Sequence, residues 1–384
     1  MFRLAALFVL ISGISFPSKA QQNASRINVV TSAVPFLRIS PDARAGGMGD
    51  VGIATLPDAN AAFWNLAKAS FNESPAGIAI TYTPWLKRLG LNDVYLATAT
   101  GYFKLDEDQA LAASLRYFSL GTIQFTDGTG NELGQNNPRE FSFDVGYTRK
   151  LSEQNGLGIA LRYINSSLAK GPIGDNTYKA GSSVAADISF YHHPGTEDGE
   201  GWSYGAVLSN LGTKIGYTSD AKQKDYIPAN LGIGGAYTRV FDDANKITFG
   251  LDLNKLLVPT PPIGPSGTFP DQAALDAYRN KSVVSSWFSS FGDAPDGGKE
   301  ELKEIQASLG MEYWYMDQFA LRAGYFYEDK TKGNRKYFTL GAGLKYNVFG
   351  MNFSYIIPSG SGINQNPLSN TLRFSVIFDL GAEE

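Results

Sequence analysis

His192 and His193 stand side by side and are the only two histidines in the chain. Adjacent strand residues point to opposite faces, so the pair cannot easily share a metal ion. Pro194-Gly195 follows at once and reads as a turn. One G-x-S-x-G string, Gly201-Trp202-Ser203-Tyr204-Gly205, has the spacing of a serine nucleophile. That chemistry needs a strand, a sharp turn at the serine and then a helix. Here the string opens a strand-like run that continues through Ala206, Val207 and Leu208. The absence of cysteine excludes thiol nucleophiles, thiolate zinc sites, disulfide scaffolds and lipid attachment at a thiol. Two glycine clusters, Arg44–Asp50 and Gly232–Gly235, do not sit between a strand and a long helix, so phosphate binding is not expected. No catalytic, cofactor or metal site is assigned.

Charged side chains are more informative. Arg116, Asp144, Arg162, Asp187, Asp252, Arg322, Lys345, Arg373 and Asp379 all fall on the small or polar face of a strand-like segment. Buried unpaired charge is costly, so these groups should pair with one another, with water or with a plug. Bracing a hydrated lumen would account for them; a substrate pathway is the alternative.

The elements that would hold these residues are strands. From about residue 76 the hydrophobic period is 2: Phe141, Phe143, Val145 and Tyr147 share one face, and Ser142, Asp144, Gly146 and Thr148 the other. Such segments start near residues 76, 93, 109, 140, 156, 182, 202, 228, 246, 304, 318, 336, 351 and 371. Most have about ten residues, which suits a tilted transmembrane strand. Connections after even segments are short and those after odd segments run longer, as in outer-membrane barrels with their long loops outside the cell. Composition agrees: 42 glycines in 384 residues, 13% aromatic and 18% charged favour β structure. A net charge of -4 argues against nucleic acid as a partner. The fold class expected is all-β: a transmembrane antiparallel β-barrel of about fourteen strands over 73–384. A secreted all-β protein is the competing reading. Aromatics at strand ends, among them Tyr102, Tyr147 and Tyr346, would suit interfacial girdles.

Outside the barrel the chain divides further. Residues 1–20 have the charged start, the short apolar run Leu4–Phe16 and the Ser18-Lys19-Ala20 site of a secretory signal peptide. Residues 21–72 lack alternation and are expected to form a plug or periplasmic segment. The insert 256–303 opens proline-rich, and Asp271 can cap a short helix there. Trp287, Phe288 and Phe291 then cluster. An external loop with this much apolar surface must fold over the barrel mouth or meet a partner, so these three and Leu257 are the candidate partner contacts.

Two runs carry a family resemblance: Arg38-Ile39-Ser40-Pro41-Asp42-Ala43-Arg44-Ala45-Gly46-Gly47-Met48-Gly49-Asp50 and Asp58-Ala59-Asn60-Ala61-Ala62-Phe63-Trp64-Asn65-Leu66-Ala67. Together they resemble the N-terminal segment of the PorV (LptO) family, outer-membrane shuttle proteins of the type IX secretion system within the FadL-like group of barrels. The resemblance implies an N-terminal plug to which Arg44, Asp50, Trp64 and Asn65 belong. Asn65-Leu66-Ala67 looks like the group's Asn-Pro-Ala element with Leu66 in place of proline, which weakens the inference of a fatty-acid pathway. The resemblance further implies a non-enzymatic protein without cofactor, in the outer membrane of a Gram-negative bacterium and surrounded by its lipids. Its partners would be the type IX translocon barrel, cargo proteins with a C-terminal signal domain, and a sortase-like attachment complex. The alternative is a FadL-like transporter of hydrophobic small molecules, which needs an apolar pocket inside the barrel and a lateral opening. A membrane-embedded hydrolase would need Ser203 close to His192 or His193.

Overall fold

The computed structural model describes residues 27–381 apart from 88–89, 127, 174–175, 197, 220–223, 265–269 and 358–369. The signal peptide expected over 1–20 lies outside the described residues, as do residues 21–26. Fourteen antiparallel strands close a barrel in simple meander order. They are β1 (Ala76–Pro84), β2 (Val94–Lys104), β3 (Gln109–Leu120), β4 (Arg139–Lys150), β5 (Asn155–Ser167), β6 (Gly181–His192) and β7 (Gly201–Gly212). The second half is β8 (Asn230–Asp242), β9 (Asn245–Leu256), β10 (Gln306–Tyr315), β11 (Phe319–Tyr327), β12 (Lys336–Tyr346), β13 (Phe349–Ile357) and β14 (Leu372–Leu380). The ladder from Ala76↔Leu380 to Tyr82↔Phe374 joins β1 to β14 and leaves no sheet edge over those rungs.

Burial in these strands is inverted relative to a soluble protein. In β4, Glu140, Ser142, Asp144, Gly146 and Thr148 are buried, while Phe143, Val145 and Tyr147 are exposed. The outward face is apolar all round the barrel, with Leu161 at 68% and Leu321 at 64% exposure. A continuous apolar belt of this kind would aggregate in water and is at home in lipid. That observation decides for the membrane barrel over a secreted β protein. Tyr102 departs from the expected girdle. It lies on the buried face of β2, where the missing side chain of Gly77 leaves it room and its hydroxyl donates to the Ser74 carbonyl at 3.1 Å.

Connections after even strands are short, such as the Met316-Asp317 turn, whose two residues both have φ of 53° and so match a type I′ hairpin. The long connections include 121–138, 168–180, 213–229 and 257–305, three of which carry small two-stranded hairpins. In outer-membrane barrels this long-loop side faces the outside.

The N-terminal segment occupies the lumen. Val34, Phe36 and Leu37 pack among Leu96, Phe118, Ile164 and Ile215 near the long-loop end. Helix α1 (Ala43–Gly47) follows, capped by the Asp42 carboxylate, which accepts from the Ala45 N–H at 2.9 Å. Gly49 and Asp50, at φ of 69° and 67°, then reverse the chain. Strand glycines make room for this passage. A Cβ on Gly324 would sit 2.1 Å from the Gly49 nitrogen, and one on Gly234 would sit 2.8 Å from Ile53. Helix α2 (Ala61–Trp64) and a tight helical turn, Leu66–Phe71, lead out at the short-turn end into β1.

Candidate functional site

The lumen is held by charge pairs between strand and segment. Arg44 on α1 donates from Nη2 and Nε to the two Glu312 oxygens at 2.7 and 2.9 Å, and from Nη1 to Asp58 at 3.0 Å. Arg322, directly opposite Glu312 in the β10–β11 register, donates to the same carboxylate at 2.6 Å and to Asn352 at 2.8 Å. Glu312 is therefore a buried carboxylate shared by two guanidinium groups. A second knot joins β4, β5, β6 and β7: Arg162 pairs with Asp144, with Asp187 at 2.8 Å, and with Asn210. Asp252 accepts the backbone N–H groups of Gly52 and Ile53 at 2.8 and 2.9 Å. Arg116 donates to the Leu37 carbonyl at 2.7 Å and lies over the Phe63 ring. Arg373 is buried, with Asp50 at 3.9 Å.

Of the nine inward charges, Arg116, Asp144, Arg162, Asp252, Arg322 and Arg373 are buried and Asp187 is half-buried, and strand pairing alone brings Asp144 opposite Arg162. Lys345 and Asp379 pair at 3.3 Å in a more exposed position. The segment residues converge as well. Trp64 donates from Nε1 to Asp42 at 2.5 Å, and Tyr337 donates to Asp50 at 2.6 Å. Asn65 Nδ2 reaches the carbonyls of Ile53 and Phe190 at 3.0 and 2.8 Å, while its Oδ1 accepts the Ala67 N–H. Sequence reasoning missed Glu312, Asp58 and Lys68. Glu312 was findable, because alternation through Leu309, Met311 and Tyr313 sets it on the inward face. Lys68, buried and donating to the Gly52 carbonyl at 2.8 Å, lies in a stretch without period. The cavity between Asp42, Arg44, Trp64 and Lys68 measures about 10 Å³, room for one water at most.

The serine–histidine constellation does not assemble. Ser203 is buried and donates to the Ala54 carbonyl at 2.7 Å. His192 Nδ1 meets Asn155 Oδ1 at 2.9 Å, and the His193 ring stacks on Phe71.

On the long-loop side, connection 257–305 carries α3 (Gln272–Asn280), α4 (Val283–Ser289) and α5 (Gly298–Lys303). An ion cluster clamps it to the barrel rim. Lys255 reaches Glu301 and Glu304 at 2.9 and 2.6 Å, and Lys332 reaches Glu300 and Glu304 at 2.6 and 2.9 Å. Burial would raise the Glu300 carboxyl, but its bond from Lys332 and the Asp296 N–H hold it below the usual range. Burial would likewise lower Lys332, yet Glu300 and Glu304 push it upward.

Above the clamp, α4 and the turn after it leave Val284, Phe288 and Phe291 at 57%, 75% and 52% exposure. Val284 and Phe288, at i and i+4, share one face of α4, and Phe291 follows in the turn beyond its end, with the Lys255 ammonium 5.8 Å from its ring centre. Trp287 is half-buried beside them. Leu257 does not join this face. It is 3% exposed and its N–H donates to the Ala229 carbonyl at 2.7 Å, so the chain leaving β9 turns it under the loop. Val284 takes its place and was missed for lack of an aromatic ring.

Solved barrels share the architecture. The toluene transporter TbuX of Ralstonia pickettii superposes with a TM-score of 0.52 at 8% identity, over 88% of this chain and 97% of that one. The P. putida toluene transporter TodX gives 0.51 at 10% identity, over 88% and 98%. At such identities the likeness is one of fold. No curated protein matches the sequence. The family model for the type IX secretion system protein PorV matches residues 19–263, more than half of the chain, and this outer-membrane barrel with its filled lumen belongs to that family.

Proposed function

We propose that the barrel works without catalysis as a shuttle of type IX secretion. It binds exported cargo by the C-terminal signal domain as cargo leaves the translocon barrel, and delivers it to a sortase-like attachment complex at the cell surface. In this reading residues 21–72 are a plug, and the insert is the external docking element. The observation that carries it is the exposed apolar face of Val284, Phe288 and Phe291, with Trp287 at its edge, held on a clamped platform outside the membrane. Interface energy concentrates in aromatic anchors of this kind.

The test is a tagged pull-down from gently solubilised outer membranes with partners identified by mass spectrometry. Replacing Trp287, Phe288 and Phe291 together by Ala is expected to remove translocon and cargo proteins while the barrel stays folded. Unchanged recovery of both would sink the proposal.

Transport of hydrophobic small molecules is the second reading, favoured by the likeness in fold to the two toluene transporters. It requires the Val34–Leu37 cluster to leave the lumen. A purified barrel that retains a hydrocarbon ligand inside would move the weight to it.

A further inference from the structure

The seam between β1 and β14 is unzipped at its outer end. Paired rungs stop at Tyr82↔Phe374. Yet β1 continues to Pro84, paired with Tyr95 of β2, and β14 begins at Leu372, paired with Tyr355 of β13. The same register would set Thr83 opposite Arg373 and Pro84 opposite Leu372. Pro84 has no N–H to offer across the gap. Just beyond it, Leu86 at φ 53° turns the chain away, a conformation uncommon for a residue with a branched side chain.

A cavity of about 170 Å³ fills the gap, walled by Pro84, Leu86, Leu372 and Phe374 on its apolar side and by Asn370 and Thr371 on its polar side, with the exposed Lys87 at its rim. Tyr82 and Phe374, one rung below, face outward into the apolar belt. On the inner side Trp85 stacks edge-on against Phe118 at 5.6 Å and belongs to the cluster around Val34 and Phe36. The gap is thus a side pocket open toward lipid and backed by packed side chains. A cavity of roughly 150 Å³ with apolar walls accommodates one benzene-sized group, so this one admits a stretch of a single hydrocarbon chain. The cation at the rim, on the long-loop side, stands where an outer-leaflet headgroup lies.

We propose that this pocket binds one acyl chain of an anionic outer-leaflet lipid, with the phosphate on Lys87. The proposal does not depend on the shuttle reading.

The test is native mass spectrometry of the full-length barrel in mixed micelles of dioleoyl phosphatidylglycerol and dioleoyl phosphatidylcholine in equal amounts. The wild type is expected to retain one phosphatidylglycerol over phosphatidylcholine by about fivefold, the scale of one basic side chain at an anionic surface. Lys87→Gln should still retain a lipid but lose the preference. Leu372→Trp, which fills the pocket, should retain neither. As a check on folding of that variant, Pro84→Cys with Leu372→Cys offers a second closure in a chain without cysteine: the oxidised form should lose the lipid and the reduced form regain it. Equal retention of both lipids by the wild type, retention by the closed variants, or displacement of phosphatidylglycerol by equimolar oleate would each overturn the proposal.

Discussion

Glu312 is the residue on which the charge balance of the lumen turns, because two buried guanidinium groups share it. Glu312→Gln should destabilise the barrel by about 3–5 kcal/mol, the usual result of leaving a buried ion without its partner. The measurement is the urea midpoint of unfolding, followed by gel mobility. Replacing Glu312 and Arg322 together by Gln and Met should be milder than Glu312→Gln alone, since only Arg44 then loses its Glu312 partner and it keeps Asp58. The inward charges themselves were legible from alternation. Their partners were not: Arg116 ends on a backbone carbonyl and Asp252 on two backbone N–H groups. Such partners belong to a segment whose path no periodicity announces.

Among the elements, the fourteen strands begin within two residues of where the hydrophobic alternation sets them. A period of 2 is a strong signal when one face is lipid, because a register slip would expose every charge to hydrocarbon. The insert is the opposite case. Its aromatic cluster was visible, but the clamp beneath it joins Lys255, Glu304 and Lys332 across a long stretch of sequence. The clamp also sets a pH window. Glu300 is held low, so its stabilisation is complete above the ordinary carboxylate value of about 4.3 and is lost as pH falls through its lowered value. Lys332 is held high, so its share is complete below about 10.4 and is lost as pH rises further. Limited proteolysis should therefore leave 283–305 intact near neutrality and cut it in acid before the barrel unfolds. Lys332→Met should bring cutting on at neutral pH. Equal resistance in wild type and variant would contradict the clamp.

The whole molecule is a membrane barrel whose described interior is packed with side chains, charged around Glu312 and Arg162 and apolar around Val34 and Phe36. Where Met48 and Gly49 cross β10 and β11 the segment touches the sheet at glycine. Gly324→Leu should therefore lower stability by about 3 kcal/mol, as overpacking does, or expel the segment. Planar-bilayer recordings distinguish these outcomes: the wild type should be silent, and an expelled segment should give steady conductance.

One feature of the path reaches back to assembly. Asn28 and Ala33 donate to the carbonyls of Thr331 and Tyr226, in the loops at the outer mouth. Residues 28–33 therefore lie on the far side of the membrane from the turn that leads into β1. This stretch cannot be threaded through a finished cylinder at little expense. The sheet must wrap around it as around a mandrel, with the β1–β14 seam closing last. A compact folded domain fused ahead of Ile27 should then stall the barrel as an unclosed intermediate, whereas the same domain after Leu380, at the inner rim, should let it mature.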